Sequence, residues 1–413
     1  MGKQPGKQKK KPSAQELSRQ LTEAYLNDAR TARERGRYVA YATAISPVEL
    51  LKAHDVIPIY PENHAAACLT KRMGTELSLA MERKGYTSHL CAYARADLGY
   101  RITGKSAKGG IPDPAFLLAC NAQCFTLTKW FEVLSRRYRT PLFVFDTPQW
   151  IRDPEARKEI IRYCVMQLRE LVAALEQLTG KRFDYDRLAE VMKYSRDASL
   201  LYRRFLDMAA YKPSPITIFD ALIQMAIIVY LRGTPQCVDY YQTLCAEVQA
   251  KADQGIGAVE NEQFRLYWEN LPIWFKFRDH FNLLKSYGAT ILTSLYVHAW
   301  CFEFDTSKDP LETLAENYCS VFSNRILEER ATMALELFRR FSLDGSLMFV
   351  NRSCKAVSFA VYQLKKIIAE KTKTPALIFE ADMGDQRFYS ETQIRTRIEA
   401  FLETLQRRRA EGG

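Results

Sequence analysis

Short apolar runs alternate with stretches of helical spacing along most of this chain, and the alternation predicts its fold. Val56-Ile57-Pro58-Ile59-Tyr60, Ala115-Phe116-Leu117-Leu118-Ala119 and Pro141-Leu142-Phe143-Val144-Phe145 read as strands, with His89-Leu90-Cys91-Ala92-Tyr93 as a shorter one. Helical runs stand between them, one reaching Met81 and stopped by Gly85, another from Thr126 to Tyr138. The alternation resumes late in the chain with Phe264-Arg265-Leu266-Tyr267-Trp268, Thr290-Ile291-Leu292-Thr293-Ser294-Leu295, Ser346-Leu347-Met348-Phe349-Val350 and Ala376-Leu377-Ile378-Phe379-Glu380. Strands separated by helices predict parallel sheets with helices on their faces.

Two segments show no strand pattern. Residues 14–53 read as helix, because Ser13 can cap, Glu16 follows three positions on, and Leu17, Leu21 and Tyr25 recur at helical spacing. Residues 151–260 are helix-patterned throughout, as in Ile218, Ala221, Leu222 and Met225. The expected organisation is a disordered basic tail at 1–13, an N-terminal helical segment at 14–53, a first α/β domain at 54–150, a helical segment at 151–260 and a second α/β domain at 261–413. The fold class is α/β, with two parallel-sheet, Rossmann/flavodoxin-like domains and an additional helical segment. It is a doubled architecture without a clear sequence repeat.

Composition narrows the class. The chain has 413 residues, 47% hydrophobic and 26% charged, which is a globular composition with length for more than one core. No run approaches the roughly 18 apolar residues of a membrane span. The basic start has no apolar segment behind it, so no secretory signal is read and a cytoplasmic protein is expected. Ten cysteines in such a chain are not a disulfide framework, and Cys68, Cys164, Cys237, Cys245, Cys301 and Cys319 read as packing residues inside apolar patterns. The net charge is +11, with Lys3, Lys7, Lys9, Lys10 and Lys11 all in the tail. No aromatic-basic module accompanies it, so nucleic acid is not an expected partner; a phosphate-bearing coenzyme suits the mild excess.

Several motifs compete for chemistry. Gly99-Tyr100-Arg101-Ile102-Thr103-Gly104-Lys105-Ser106 spells a phosphate-binding loop, but no buried strand precedes it and Gly109-Gly110-Ile111-Pro112 forbids a following helix. It is read as a decoy. Cys120-x-x-x-Cys124 has half a zinc spacing and no second pair, and a C-x-x-C redox pair is absent. His64, in Pro61-Glu62-Asn63-His64, follows a strand and opens a helix, where ligands gather; a capping or packing role is its alternative. Glu380-Ala381-Asp382-Met383-Gly384-Asp385-Gln386-Arg387 also follows a strand, and Asp382 and Asp385 are placed to hold Arg387 or Arg352. Cys91, Cys124 and Cys354 each stand at a break in apolar pattern, where open α/β sheets gather their ligands.

Four pieces in order carry a resemblance. They are Cys91-Ala92-Tyr93-Ala94-Arg95-Ala96-Asp97-Leu98-Gly99; Cys124 with Lys129-Trp130-Phe131-Glu132 and Pro141 to Pro148; Asn351-Arg352-Ser353-Cys354-Lys355; and Glu380-x-Asp382-x-x-Asp385-x-Arg387. From about residue 40 to residue 405 the chain resembles the benzoyl-CoA reductase / 2-hydroxyacyl-CoA dehydratase family. The resemblance implies two α/β domains with helical parts, a related cluster-binding subunit as partner, and a 4Fe–4S cluster held by Cys91, Cys124 and Cys354. Cys120, one helical turn from Cys124, is the alternative ligand. It also implies an acyl-CoA substrate and a separate ATP-hydrolysing iron–sulfur activator, which agrees with the missing nucleotide site. His64 is the candidate proton-transfer residue. The aromatic-rich segments Tyr60 to His64 and Asn270 to Phe275 tilt the reading towards dearomatising reduction of benzoyl-CoA. Removal of water from a 2-hydroxyacyl-CoA is the alternative, and a non-catalytic partner subunit is the third reading.

Overall fold

The computed structural model describes residues 12–411, so of the expected basic tail only Pro12 and Ser13 fall within it. Ser13 caps α1 (Ala14–Arg30) reciprocally: its hydroxyl accepts from the Glu16 N–H, and the Glu16 carboxylate accepts from the Ser13 N–H at 2.8 Å. The helix does not extend to residue 53. A short 3-10 turn and Gly36 end the run, and β1 (Val39–Ala42) follows, then α2 (Val48–Ala53) and β2 (Ile57–Ile59). All four residues of β1 are buried and it is an inner strand. The run is four residues long and two of them are alanines, so it reads equally well as a continuation of the helix before it.

Next come α3 (Pro61–Thr70), α4 (Gly74–Glu82), α5 (Ala92–Thr103), β3 (Phe116–Cys120), α6 (Phe125–Tyr138) and β4 (Leu142–Phe145). The strand expected at His89–Tyr93 does not form; Cys91 is the N-cap of α5. Ala92, Ala94 and Ala96 are strong helix formers, and α5 packs so closely on α4 that a Cβ at Gly99 would stand 2.2 Å from the Leu77 carbonyl oxygen. The glycines of the nucleotide-like motif thus have structural duties: Gly99 permits this contact, and Gly104 (φ +73°) ends α5 in the left-handed region. A helix, not a strand, precedes Lys105, whose ammonium pairs with Glu76 on the surface.

The first sheet has the order β2-β1-β3-β4 and is parallel throughout. Helices α7 (Pro154–Thr179), α8 (Tyr185–Asp207), α9 (Ile218–Leu231) and α10 (Pro235–Asp253) then form the helical segment. The second half runs β5 (Phe264–Glu269), α11 (Phe277–Ser286), β6 (Ala289–Thr293), α12 (Pro310–Cys319), α13 (Leu327–Phe341), β7 (Gly345–Asn351), α14 (Lys355–Ser358), α15 (Val361–Thr372), β8 (Ala376–Ala381) and α16 (Glu391–Ala410). Its sheet is parallel with the order β6-β5-β7-β8, the same winding as the first. The doubling expected from the strand pattern is therefore real at the level of topology. No described helix is long and apolar enough to cross a membrane.

A buried ionic clamp joins the two halves. The Arg95 guanidinium on α5 is fully buried and donates to Asp385 at 2.8 Å, to Asp382 at 3.1 Å and to the Leu90 carbonyl at 3.0 Å. Arg387 joins it, bonding both Asp385 and Glu82 of α4. The acidic run after β8 is thus an interdomain contact, while Arg352 faces Glu380 instead, at 3.6 Å. Burial pushes the Asp385 carboxyl up, but the hydrogen bonds from Arg387 and Arg95 outweigh it and hold its pKa below the usual value. Arg95→Met leaves the buried Asp382 without its cation and Asp385 with Arg387 alone, and is expected to cost about 3–5 kcal/mol in urea unfolding. Lys105→Ala, at an exposed pair, is expected to cost less than about 1 kcal/mol in the same measurement.

Candidate functional site

Parallel strands deliver their following loops to one edge, and here the carboxyl edges of the two sheets supply the walls of a single cavity of about 110 Å³. Ala44 and Ile45 come after β1, Glu62 and Asn63 after β2, and Gln123 and Cys124 after β3. From the other sheet, Leu271 and Trp274 come after β5, Tyr296 after β6, Cys354 after β7 and Met383 after β8. Met225 and Val229, one turn apart on α9, close the side, and Cys91 enters from the start of α5.

The structure brings Cys91, Cys124 and Cys354 together on this cavity and gives each the same local setting. They are the N-caps of α5, α6 and α14, so backbone N–H groups of the following turn approach each sulfur. Tyr93 and Ala94 do so for Cys91, Thr126 and Leu127 for Cys124, and Val357 for Cys354. Burial raises all three thiols, Cys354 to about 12. The neighbouring sulfur of Cys124 raises both Cys91 and Cys354 further, which is the electrostatic mark of their proximity. Cys120 lies at the end of β3, outside the cavity wall, with its thiol near Cys164 and Asp146. Cys164 and Cys319 are in sulfur–sulfur contact at 3.2 Å in the core.

Among the described residues no three His, Cys, Asp or Glu side chains converge closely enough to ligate one metal ion. The three thiols instead line the walls of a space, at cap positions that supply N–H donors to sulfur. Soft donors spread around a void fit a polynuclear iron–sulfur group better than a single zinc, which gathers its ligands at about 2.0–2.3 Å.

His64 is not in this cavity. It lies on α3 facing the other way, bonded to Ser106 at 2.8 Å and packed against the Tyr100 ring, and it lines a smaller void of about 20 Å³. Burial lowers its pKa to about 4, so it is neutral at pH 7, with Asp97 opposing the shift. The ionisable carboxyl on the wall is Glu62, two positions earlier. It accepts from the Ala44 N–H at 2.6 Å and from the Gln123 amide at 3.1 Å, and burial raises it to about 7 against these bonds. That value suits proton transfer near neutral pH. An acid at the second helical position reads as ordinary helix-start charge, and this hid Glu62 in the sequence.

Two further groups escaped the sequence reading. The Trp274 indole N–H donates to the Tyr93 hydroxyl at 2.8 Å, and Tyr296 stands beside Tyr93 on the same wall, so polar groups of the two halves meet there. Behind the wall, the buried Arg232 donates to the Ala44 carbonyl at 3.2 Å and to the Ser46 carbonyl at 3.0 Å. Glu49, at 3.4 Å, balances its charge and bonds Ser195 and Tyr318. Arg232 therefore fixes the turn whose Ala44 N–H addresses Glu62. Residues from four separate elements make this network, and no local pattern announces it.

The chain matches the family described as 2-hydroxyglutaryl-CoA dehydratase, D-component, over residues 43–405. It is 32% identical over 391 residues to the (R)-2-hydroxyisocaproyl-CoA dehydratase alpha subunit of Clostridioides difficile, covering 94% of this chain and 95% of that one. It is 30% identical over 400 residues to the (R)-phenyllactyl-CoA dehydratase alpha subunit of Clostridium sporogenes, covering 97% of each. With a benzoyl-CoA reductase subunit of Thauera aromatica the identity is 29% over 378 residues, covering 88% of this chain and 87% of that one.

The raised Glu62 pKa has a measurable consequence. Between about 4.5, its ordinary value, and about 7 in the fold, the unfolded chain ionises this group while the native protein keeps it protonated. Native protein then binds more protons, so this group's contribution to stability is intact below the lower value and falls as pH rises through the window. Glu62→Gln is expected to remove that part of the decline, so that the wild-type minus variant stability difference drops between pH 4.5 and 7 in urea titrations.

Proposed function

We propose, for a chain that belongs to the 2-hydroxyglutaryl-CoA dehydratase D-component family, that it is the cluster-holding subunit of a 2-hydroxyacyl-CoA dehydratase. Cys91, Cys124 and Cys354 would hold a 4Fe–4S cluster. The observation that carries this reading is the three helix-capping thiols on one apolar cavity between two carboxyl edges. When bound, such a group supplies low-potential electron transfer and an iron without a cysteine ligand, open to a substrate oxygen.

The chain's own residues would do the rest. N–H groups at the three caps lower the energy of thiolate sulfur and so tune the potential. Apolar walls such as Leu127, Val229 and Phe322 keep water from reactive species. The Glu62 carboxyl is available in both protonation states near neutral pH, to accept a proton lost from the acyl chain and return one to the departing hydroxyl. Its place on the wall makes it the better proton carrier than His64, which is held outside by Ser106. Tyr296, beside Tyr93, offers a hydroxyl on the same wall.

Dehydratase is preferred over benzoyl-CoA reductase because the two relatives with the higher identities just given carry dehydratase names. The segments that tilted the sequence reading towards reduction, Tyr60 to His64 and Asn270 to Phe275, contribute Glu62, Asn63, Leu271 and Trp274 to the cavity. Either chemistry needs such walls, so they do not discriminate. A related subunit is proposed as partner, since the relatives are named as subunits, together with a separate ATP-hydrolysing iron–sulfur activator, all in the cytoplasm. Phe125 (64% exposed), Phe359 (89%) and Tyr362 (64%) stand in the open just after Cys124 and Cys354, as a covered face would require.

Anaerobically purified complex should contain iron and sulfide bound to this chain. Cys91→Ala, Cys124→Ala and Cys354→Ala should each lose it, whereas Cys120→Ala and Cys237→Ala should retain it; stoichiometric zinc without iron would defeat the assignment. With the cluster intact, Glu62→Gln is expected to lower turnover by on the order of a hundredfold, the scale of general acid–base catalysis. Elimination is redox-neutral and ring reduction is not, so the electrons consumed per product separate dehydratase from reductase.

A further inference from the structure

The cysteine cavity is one-sided in its chemistry. Leu127, Met225, Val229, Leu271, Trp274 and Phe322 are among its apolar walls, and among the described residues Glu62 is its only acid. Among the described residues no lysine, arginine or histidine lines it. Guanidinium groups are close by but are kept out. Arg232 stands behind the Ala44 turn with Glu49 at 3.4 Å, and Arg330 is held by Glu269 at 3.1 Å. Arg203, Arg325 and Arg340 line a separate cavity of about 310 Å³ that shares only Ala299 and Phe322 with the first. Each of the three already has a carboxylate partner, in Glu303, Glu329 and Asp207.

We infer that the acyl group taken by this cavity is uncharged and apolar at its far end, an aliphatic or aromatic side chain rather than a dicarboxylic one. The inference rests on the reading of the cavity as an acyl-CoA site and adds the class of acyl group. A second carboxylate, as in a 2-hydroxyglutaryl group, would leave water for a space whose described lining offers no cationic side chain to pair with it. A buried charge without a partner is costly. An alkyl or phenyl group gains from the same walls through loss of apolar surface to water. Met225 and Val229 contribute to this choice, because α9 presents them one turn apart on the wall without a polar atom that could answer a carboxylate.

The test uses the holo complex under anaerobic conditions and two saturated, unreactive esters, 4-methylpentanoyl-CoA and glutaryl-CoA, with affinities measured by calorimetry. The apolar ester is expected to bind at least about a hundredfold more tightly, a difference of roughly 2.7 kcal/mol. Met225→Lys places a cation on the wall and is expected to narrow that ratio at least tenfold, by strengthening glutaryl-CoA binding. Equal affinities in the wild-type complex overturn the inference whether or not the variant folds. An unchanged ratio in a folded Met225→Lys complex removes the role of α9. Failure to bind either ester, with free coenzyme A also inert, would instead refute the acyl-CoA reading beneath it.

Discussion

Every strand in both sheets is parallel to its neighbours, and the rest of the structure follows from that constraint. A parallel connection must return over the sheet face, so each strand hands the chain to a loop at the same edge. Of the eight strands among the described residues, seven place a cavity residue directly beyond their carboxyl ends, from Ala44 after β1 to Met383 after β8. Neither half could build the site alone: Cys91 and Cys124 belong to the first, Cys354 to the second. Arg95 then fixes the two edges against each other, and because it also binds the Leu90 carbonyl, the clamp reaches the residue that precedes Cys91.

Desolvation sets the chemical character of what these loops bring together. The same burial raises the thiols, raises Glu62 and lowers His64, in each case favouring the neutral form. Cations are neutralised behind the walls, as Arg232 is by Glu49, so they support backbone without entering the cavity. Arg232 acts on the site through geometry: it holds the Ala44 turn, and the Ala44 N–H meets Glu62.

Much of this was legible in the sequence where a single element carried the signal. Seven of the eight strands lay in apolar runs, and the three cysteines stood at breaks between runs. Val39–Ala42 was invisible because a run of four residues, two of them alanine, reads as a continuation of the helix before it. His89–Tyr93 misled because a short apolar string of mixed residues suits strand or helix equally, and the alanines decided for helix. His64 drew attention through residue type and position after a strand. A helix presents positions two apart to different directions, though, so Glu62 reached the wall and His64 did not. Arg232 and Tyr296 matter only through contacts across the fold, which no local pattern contains, and Trp274 showed only as part of an aromatic-rich segment.

The caps show why these three cysteines are set apart from the other seven. At a helix N-cap, Ser, Thr, Asp or Asn satisfies free N–H groups, and an apolar replacement costs roughly 1 kcal/mol. Asp153, Thr217 and Thr234 do this at α7, α9 and α10, where their side chains accept from the first turn. At α5, α6 and α14 a thiol stands in that place, and no side-chain oxygen takes the N–H groups. A neutral thiol is a weak acceptor; a thiolate is a strong one, and it needs a positive partner when buried. On the proposal that these thiols hold a cluster, ionised sulfur would take the place of the missing oxygen acceptor at three helices that meet on the same cavity. None of the seven remaining cysteines stands at a helix N-cap.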